Sequence, residues 1–139
     1  MLSHIELNVS DLEMSSRFYG SALGPLGFQK ADELAGEYVR FSNGHNVVIV
    51  LCPVDQAHRP NGYHRKNIGL SHLAIAVESK ELVDQMEDHL TELGIGLLGE
   101  GKIETGYRNG YYTLAFEDPD RIMIEVVHHS LDYFSLSSS

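Results

Sequence analysis

The run Leu70-Ser71-His72-Leu73-Ala74-Ile75-Ala76-Val77 is short and almost wholly apolar, bounded by Gly69 and by the polar Glu78-Ser79-Lys80. Such a run reads as a strand buried on both faces. Alternation sets Leu73, Ile75 and Val77 on one face and His72, Ala74 and Ala76 on the other, so an imidazole stands among small side chains. The start of the chain repeats the pattern. Leu2-Ser3-His4-Ile5-Glu6-Leu7-Asn8-Val9 has the same Leu-Ser-His opening and the same length, with His4, Glu6 and Asn8 facing away from Ile5, Leu7 and Val9. A helical pattern follows each strand, Asp11 to Leu23 before Gly24 and Ser79 to Leu93 before Gly94. Asp11 and Ser79 can each cap a helix N-terminus, and Gly24-Pro25 stops the first helix.

After the first helix, short strands are predicted near 27–31, 37–41 and 46–52, the last two joined by the turn Ser42-Asn43-Gly44-His45. After the second come a strand near 96–99, a loop with Gly101, Gly106 and Gly110, and strands over 111–116 and 121–127 around the turn Glu117-Asp118-Pro119-Asp120. One β-α-β-β-β unit is thus made twice, over residues 2–52 and 69–128. The fold class is α+β, in a single domain spanning 1–139. Residues 53–68 form a long polar linker, a kind of segment that is usually functional or mobile in a compact domain. Residues 129–139 are a tail expected to fray.

Composition narrows the function. A net charge of −10 with only 10 lysines and arginines argues against nucleic acid or an acidic membrane surface as a partner. Cys52, the single cysteine, cannot form an internal disulfide, which suits a reducing cytoplasm. No signal peptide or bilayer-spanning run is evident.

The last strand carries one carboxylate, Glu125, in Ile122-Met123-Ile124-Glu125-Val126-Val127. Burying it unpaired would be expensive, so a cation or several donors should await it. It can lie on an exposed edge or pair with an arginine such as Arg121. Alternatively, it joins His4 and His72 in a facial site of two imidazoles and one carboxylate with open positions for a divalent metal. Taken singly, each of the three has an ordinary structural explanation; their equivalent places in a repeat favour the shared site.

These features resemble the vicinal-oxygen-chelate superfamily: the Leu-Ser-His strand starts, the βαβββ repeat, and Phe116-Glu117-Asp118-Pro119-Asp120 followed by Ile124-Glu125. Its members include glyoxalase I, fosfomycin-resistance thiol transferases, extradiol ring-cleaving dioxygenases and bleomycin-binding proteins. The resemblance covers roughly 2–128. It implies paired modules forming a cup of mostly antiparallel sheet that holds a divalent metal, usually in a homodimer acting on a small-molecule substrate. His4, His72 and Glu125 match the ligand positions. Iron(II), zinc, manganese and nickel all suit such mixed ligation. The implied chemistry is Lewis-acid stabilisation of an oxyanion.

Departures from glyoxalase I are specific. Val50 stands where that enzyme has a second Glu ligand that is also its base, and Asn8 where it has an arginine that grips glutathione. Glu6 is a substitute base, although a solvated edge-strand Glu would look the same. In the dioxygenases and fosfomycin enzymes a tyrosine lies ten residues before the Glu ligand, where this chain has Ala115. Tyr111 shares that strand face and could supply the phenol, or be an ordinary β-former. Tyr38 and Arg40 share one face and could bind substrate, Arg40 being suited to a carboxylate or phosphonate. His58 is a weak match for the catalytic histidine of the dioxygenases. The expected activity is therefore a metal-dependent, lyase- or isomerase-like enzyme other than glyoxalase I. The alternatives are a ring-cleaving dioxygenase or thiol transferase with the same ligands, and a metal-free drug- or metabolite-binding protein.

Overall fold

The computed structural model describes residues 2–45, 47–105 and 110–136. Its contacts divide into two compact units, Met1–His72 with Glu117–Met123, and Leu73–Phe116 with Ile124–Ser139.

In the first unit the order is β1 (His4–Val9), α1 (Leu12–Ala22), β2 (Gln29–Leu34), β3 (Tyr38–Ser42) and β4 (Val48–Pro53). The sheet runs β1-β4-β3-β2, with β1 parallel to β4 and the other pairs antiparallel, so β1 is an edge strand. Asp11 caps α1 as its sequence predicts, its carboxylate accepting from the Met14 N–H at 2.9 Å. Alternation then sorts the sheet. Leu7, Val9, Val39, Phe41, Ile49 and Leu51 are buried, as are Tyr19 and Ala22 of α1, which packs on β3 and β4. His4, Glu6, Asn8, Tyr38, Arg40, Val50 and Cys52 lie on the opposite, open face, exposed or half-buried.

The second sheet has the same order of elements: β5 (His72–Ala76), α2 (Lys80–Glu92), β6 (Ile103–Thr105), β7 (Tyr111–Glu117) and β8 (Met123–His128), with sheet order β5-β8-β7-β6. Ser79 caps α2 by accepting from the Leu82 N–H at 3.2 Å. Leu73, Ile75, Leu114, Phe116, Ile124 and Val126 are buried, with Val83, Met86 and Leu90 of α2. The order and type of elements follow the repeat, and the architecture is the α+β one expected.

Four details differ from expectation. β5 is buried on one face only: Leu73 and Ile75 are buried, while His72, Ala74 and Ala76 are exposed. The strand expected at 96–99 is reduced to a single bridge between Leu97 and Phe116, and β6 forms later. Gly99 and Gly101, with φ of 65° and 91°, turn the backbone out of the extended region between the two. Residues 131–134 of the tail make a short 3-10 turn, and the Tyr133 ring stacks on His129 at 4.4 Å. Finally, the turn at 117–123 belongs by its contacts to the first unit. The loop glycine Gly106, the strand-start residue Asn46 and tail residues 137–139 lie outside the described residues.

That turn is held by a dense set of bonds. The buried Asp118 carboxylate accepts from the Tyr19 hydroxyl at 2.9 Å and from the N–H groups of Asp120 and Ile122, both at 2.8 Å. Asp120 accepts from the Ser10 N–H at 2.9 Å, and Arg65 of the linker donates to Glu117 at 2.5 Å. Burial pushes the Asp118 carboxyl above the ordinary range despite those donors. The Arg65 hydrogen bond holds Glu117 below it. Burial, then the Asp118 charge, raises the Tyr19 phenol far above its usual value, so it stays a donor.

Candidate functional site

The two Leu-Ser-His segments repeat a side-chain contact as well as a sequence. Ser3 Oγ lies 3.1 Å from His4 Nδ1, and Ser71 Oγ lies 3.3 Å from His72 Nδ1. With Nδ1–H donating to the serine, Nε2 carries the lone pair that a metal ion needs. His4 begins β1 on its open face, and His72 begins β5 on an exposed position.

On the second sheet Glu125 is buried at 8% exposure in the middle of β8. The Tyr111 hydroxyl donates to its Oε1. Arg121, the arginine considered as a partner, instead donates to Glu117 at 3.4 Å. The Tyr111 ring also meets Tyr133 of the tail at 6.1 Å. A buried carboxylate bonded by a phenol can hold a cation, accept a proton or orient a polar ligand.

His4, His72 and Glu125 are the right donor chemistry for a divalent cation: two neutral imidazoles and an ionised carboxylate. Among the described residues, no three His, Cys, Asp or Glu side chains are grouped so as to hold a metal ion.

On the open face of the first sheet the register aligns Glu6, Val50, Arg40 and Asp32 in one row across four strands. Arg40 pairs with Asp32 through side chains that are 41% and 44% exposed, a solvent-screened contact that a ligand carboxylate can replace. Tyr38 lies beside it on the same strand face. Glu6 accepts from the Cys52 thiol at 3.1 Å. Burial and then that bond raise the thiol to about 11, so Cys52 is protonated at neutral pH and not a thiolate nucleophile.

Glu6 and Asn8 also line a cavity of about 600 Å3 within the first unit. Its other walls are the segment from Val54 to Leu70, including His58, Arg59 and His64, and Asp120 and Ile122 of the 117–123 turn. The 53–68 linker, expected from its length to be functional or mobile, supplies lining residues from Val54 to Ile68, and beyond the weak match at His58 its sequence did not single out any one of them.

The profile of the Glyoxalase/Bleomycin resistance protein/Dioxygenase superfamily matches residues 1–126. The chain belongs to this superfamily. It is 38% identical to the uncharacterized protein YqjT of Bacillus subtilis over 131 residues, covering 91% of this chain and 97% of that one. A crystal structure of a Bacillus halodurans protein provisionally called a glyoxalase has a TM-score of 0.80 and 32% identity, covering 92% of this chain and 95% of that one. Lactoylglutathione lyase from Agrobacterium tumefaciens shares the superfamily fold at a TM-score of 0.71 and 21% identity, covering 98% and 97%. The fosfomycin resistance protein FosX of Listeria monocytogenes shares it at 0.70 and 19%, covering 95% of each chain. No described helix is long and apolar enough to cross a membrane.

Proposed function

We propose that this superfamily member is a divalent-metal-dependent enzyme acting on a small oxygenated metabolite, with His4, His72 and Glu125 as the ligands. The observation that carries the reading is Glu125: a carboxylate kept buried in an apolar strand, with a phenol donating to it, on the sheet that repeats the histidine-bearing motif. Membership of the superfamily supports it. A bound cation supplies Lewis-acid polarisation of a substrate oxygen and offsets the cost of burying Glu125. Iron(II), zinc, manganese and nickel are the candidates.

The chain's own groups supply the rest. Ser3 and Ser71 meet Nδ1 of the two imidazoles, and where Nδ1–H donates to the serine oxygen, Nε2 keeps its lone pair for the ion. Tyr111 holds Glu125 by donating its single hydroxyl proton, which a substrate oxygen would receive only in exchange for that bond. Glu6 is the candidate base, its carboxylate exposed on the open face and accepting from the Cys52 thiol. Asn8, Tyr38 and Arg40 orient the substrate, Arg40 by exchanging Asp32 for a ligand anion. A cytoplasmic homodimer completes the proposal.

Elemental analysis after reconstitution with each metal tests it. Stoichiometric metal is expected in the parent chain and strong loss in His4→Ala, His72→Ala and Glu125→Gln. No stoichiometric metal under any condition would overturn it and favour a metal-free binding protein. Oxygen uptake with catechols, or turnover of fosfomycin with a thiol, would redirect it to the dioxygenase or transferase branch.

A further inference from the structure

We propose that the cavity between the free edge of β1 and the segment from Val54 to Leu70 binds a small organic acid, a monoanion with an apolar body whose carboxylate is held by Arg59. It adjoins the proposed reaction site through Glu6 and Asn8 but does not depend on a cation there.

Charge points to Arg59. Among the described residues, Arg17, Lys30, Arg40, Arg65, Lys80, Lys102 and Arg121 each lie within ion-pair distance of a carboxylate. Arg59 and Lys66 are the described cations that do not, and both lie on the segment that walls the cavity. In a chain of net charge −10, an arginine at a cavity wall with no described carboxylate in ion-pair distance marks a place for an external anion. Arg59 spends one N–H of Nη1 on the Ser10 carbonyl at 2.9 Å, which anchors the guanidinium. The rest of its five-donor fork is available for a carboxylate.

The neighbouring groups fit the same ligand. The Lys66 N–H donates to His64 Nδ1 at 3.1 Å, so Nε2 carries the proton and His64 adds a donor to the cavity wall. Two acids also line the cavity, Asp120 accepting from the Ser10 N–H and Glu6 from the Cys52 thiol, so a ligand of a single negative charge is favoured over a polyanion. The apolar part has its own wall. Ile68 is fully exposed and Leu70 is 39% exposed, with Val54 and Ile122 also lining the space. The cavity, at about 600 Å3, has the size of a small-molecule pocket, with these apolar side chains set among polar ones.

The test is calorimetric titration of the chelator-treated full chain with 4-phenylbutanoate, hexanoate and the uncharged 4-phenylbutan-1-ol. Saturable binding of 4-phenylbutanoate is expected, with hexanoate weaker because it covers less apolar surface. Binding should fall at least roughly tenfold for the alcohol and in Arg59→Gln, in line with a charge-assisted bond, and partly recover in Arg59→Lys. Amide shifts should concentrate at 5–10 and 54–70. No saturable binding, shifts centred elsewhere, or an unchanged affinity in Arg59→Gln would overturn the proposal. Should Arg59→Gln not fold, His64→Ala provides the second variant, and an unchanged affinity there would likewise count against it. Because metal is absent throughout, the outcome is separate from that of the metal analysis.

Discussion

β1 and β5 each begin at the histidine of a Leu-Ser-His and set the same Ser–His contact, yet they open onto sheet faces of different kinds. On the first face the polar groups are paired near solvent, Glu6 with Cys52 and Arg40 with Asp32. On the second, a buried carboxylate is bonded by a phenol, and small alanines follow the histidine. The faces that pack against the helices show no such divergence. Val39 and Phe41 of β3 are buried as Leu114 and Phe116 of β7 are, whereas Arg40 between the first pair answers to Ala115 between the second. Packing constrains the covered face in both copies, and the open face is where chemistry can vary.

The largest expected effect comes from attacking what the copies share. Phe41→Ala and Phe116→Ala remove equivalent rings that are almost fully buried. Each should cost about 3–5 kcal/mol by denaturant unfolding, the usual loss for a large aromatic in a core. A much smaller loss in either would show that its copy is packed loosely and that the equivalence is one of sequence only.

Next in size is the 117–123 turn, where two adjacent carboxylates differ as sharply as the two faces do. Tyr19→Phe removes the hydroxyl that meets buried Asp118 and should cost about 1–3 kcal/mol. The pair also separates by pH. Glu117, lowered in the fold by Arg65, contributes stability that is present above its unfolded value and lost as pH falls through its folded value. Asp118, raised by burial, does the reverse: its contribution is present below its unfolded value and lost as pH rises through its folded value. Unfolding measured through the ordinary carboxylate range should therefore show Glu117→Gln weakening the acid-side loss and Asp118→Asn steepening it. The same pH slope in both variants would refute the opposite assignments.

Much of the fold was legible because it rests on local rules. Alternation identified the inward residues of β1, and the caps Asp11 and Ser79 appeared where side-chain chemistry calls for them. The 117–123 turn was legible as a turn but not as part of the first unit, since nothing local to Asp118 announces a hydroxyl 99 positions away. The strand expected at 96–99 failed because an apolar run was weighed above the glycines that break it. At the site, the lone acid in β8 signalled that donors must be near, and parity placed Tyr111 on a face with Ala115. Arg59 was not legible, because its importance lies in lacking a carboxylate partner, a property of the folded chain.

The smallest effect tests the repeat at its most local. Asp11 and Ser79 make the same side-chain-to-backbone bond at the start of equivalent helices, at 2.9 Å and 3.2 Å. Replacing either with alanine should cost about 1 kcal/mol. The aspartate has an added charge interacting favourably with the helix N-terminus, worth about 0.3–1 kcal/mol at low salt. Asp11→Ala should therefore cost slightly more than Ser79→Ala in dilute buffer, and the difference should shrink in molar salt as the charge is screened. If the difference persists undiminished in salt, the helix-terminus charge is not its source, and the two caps differ in packing rather than in electrostatics.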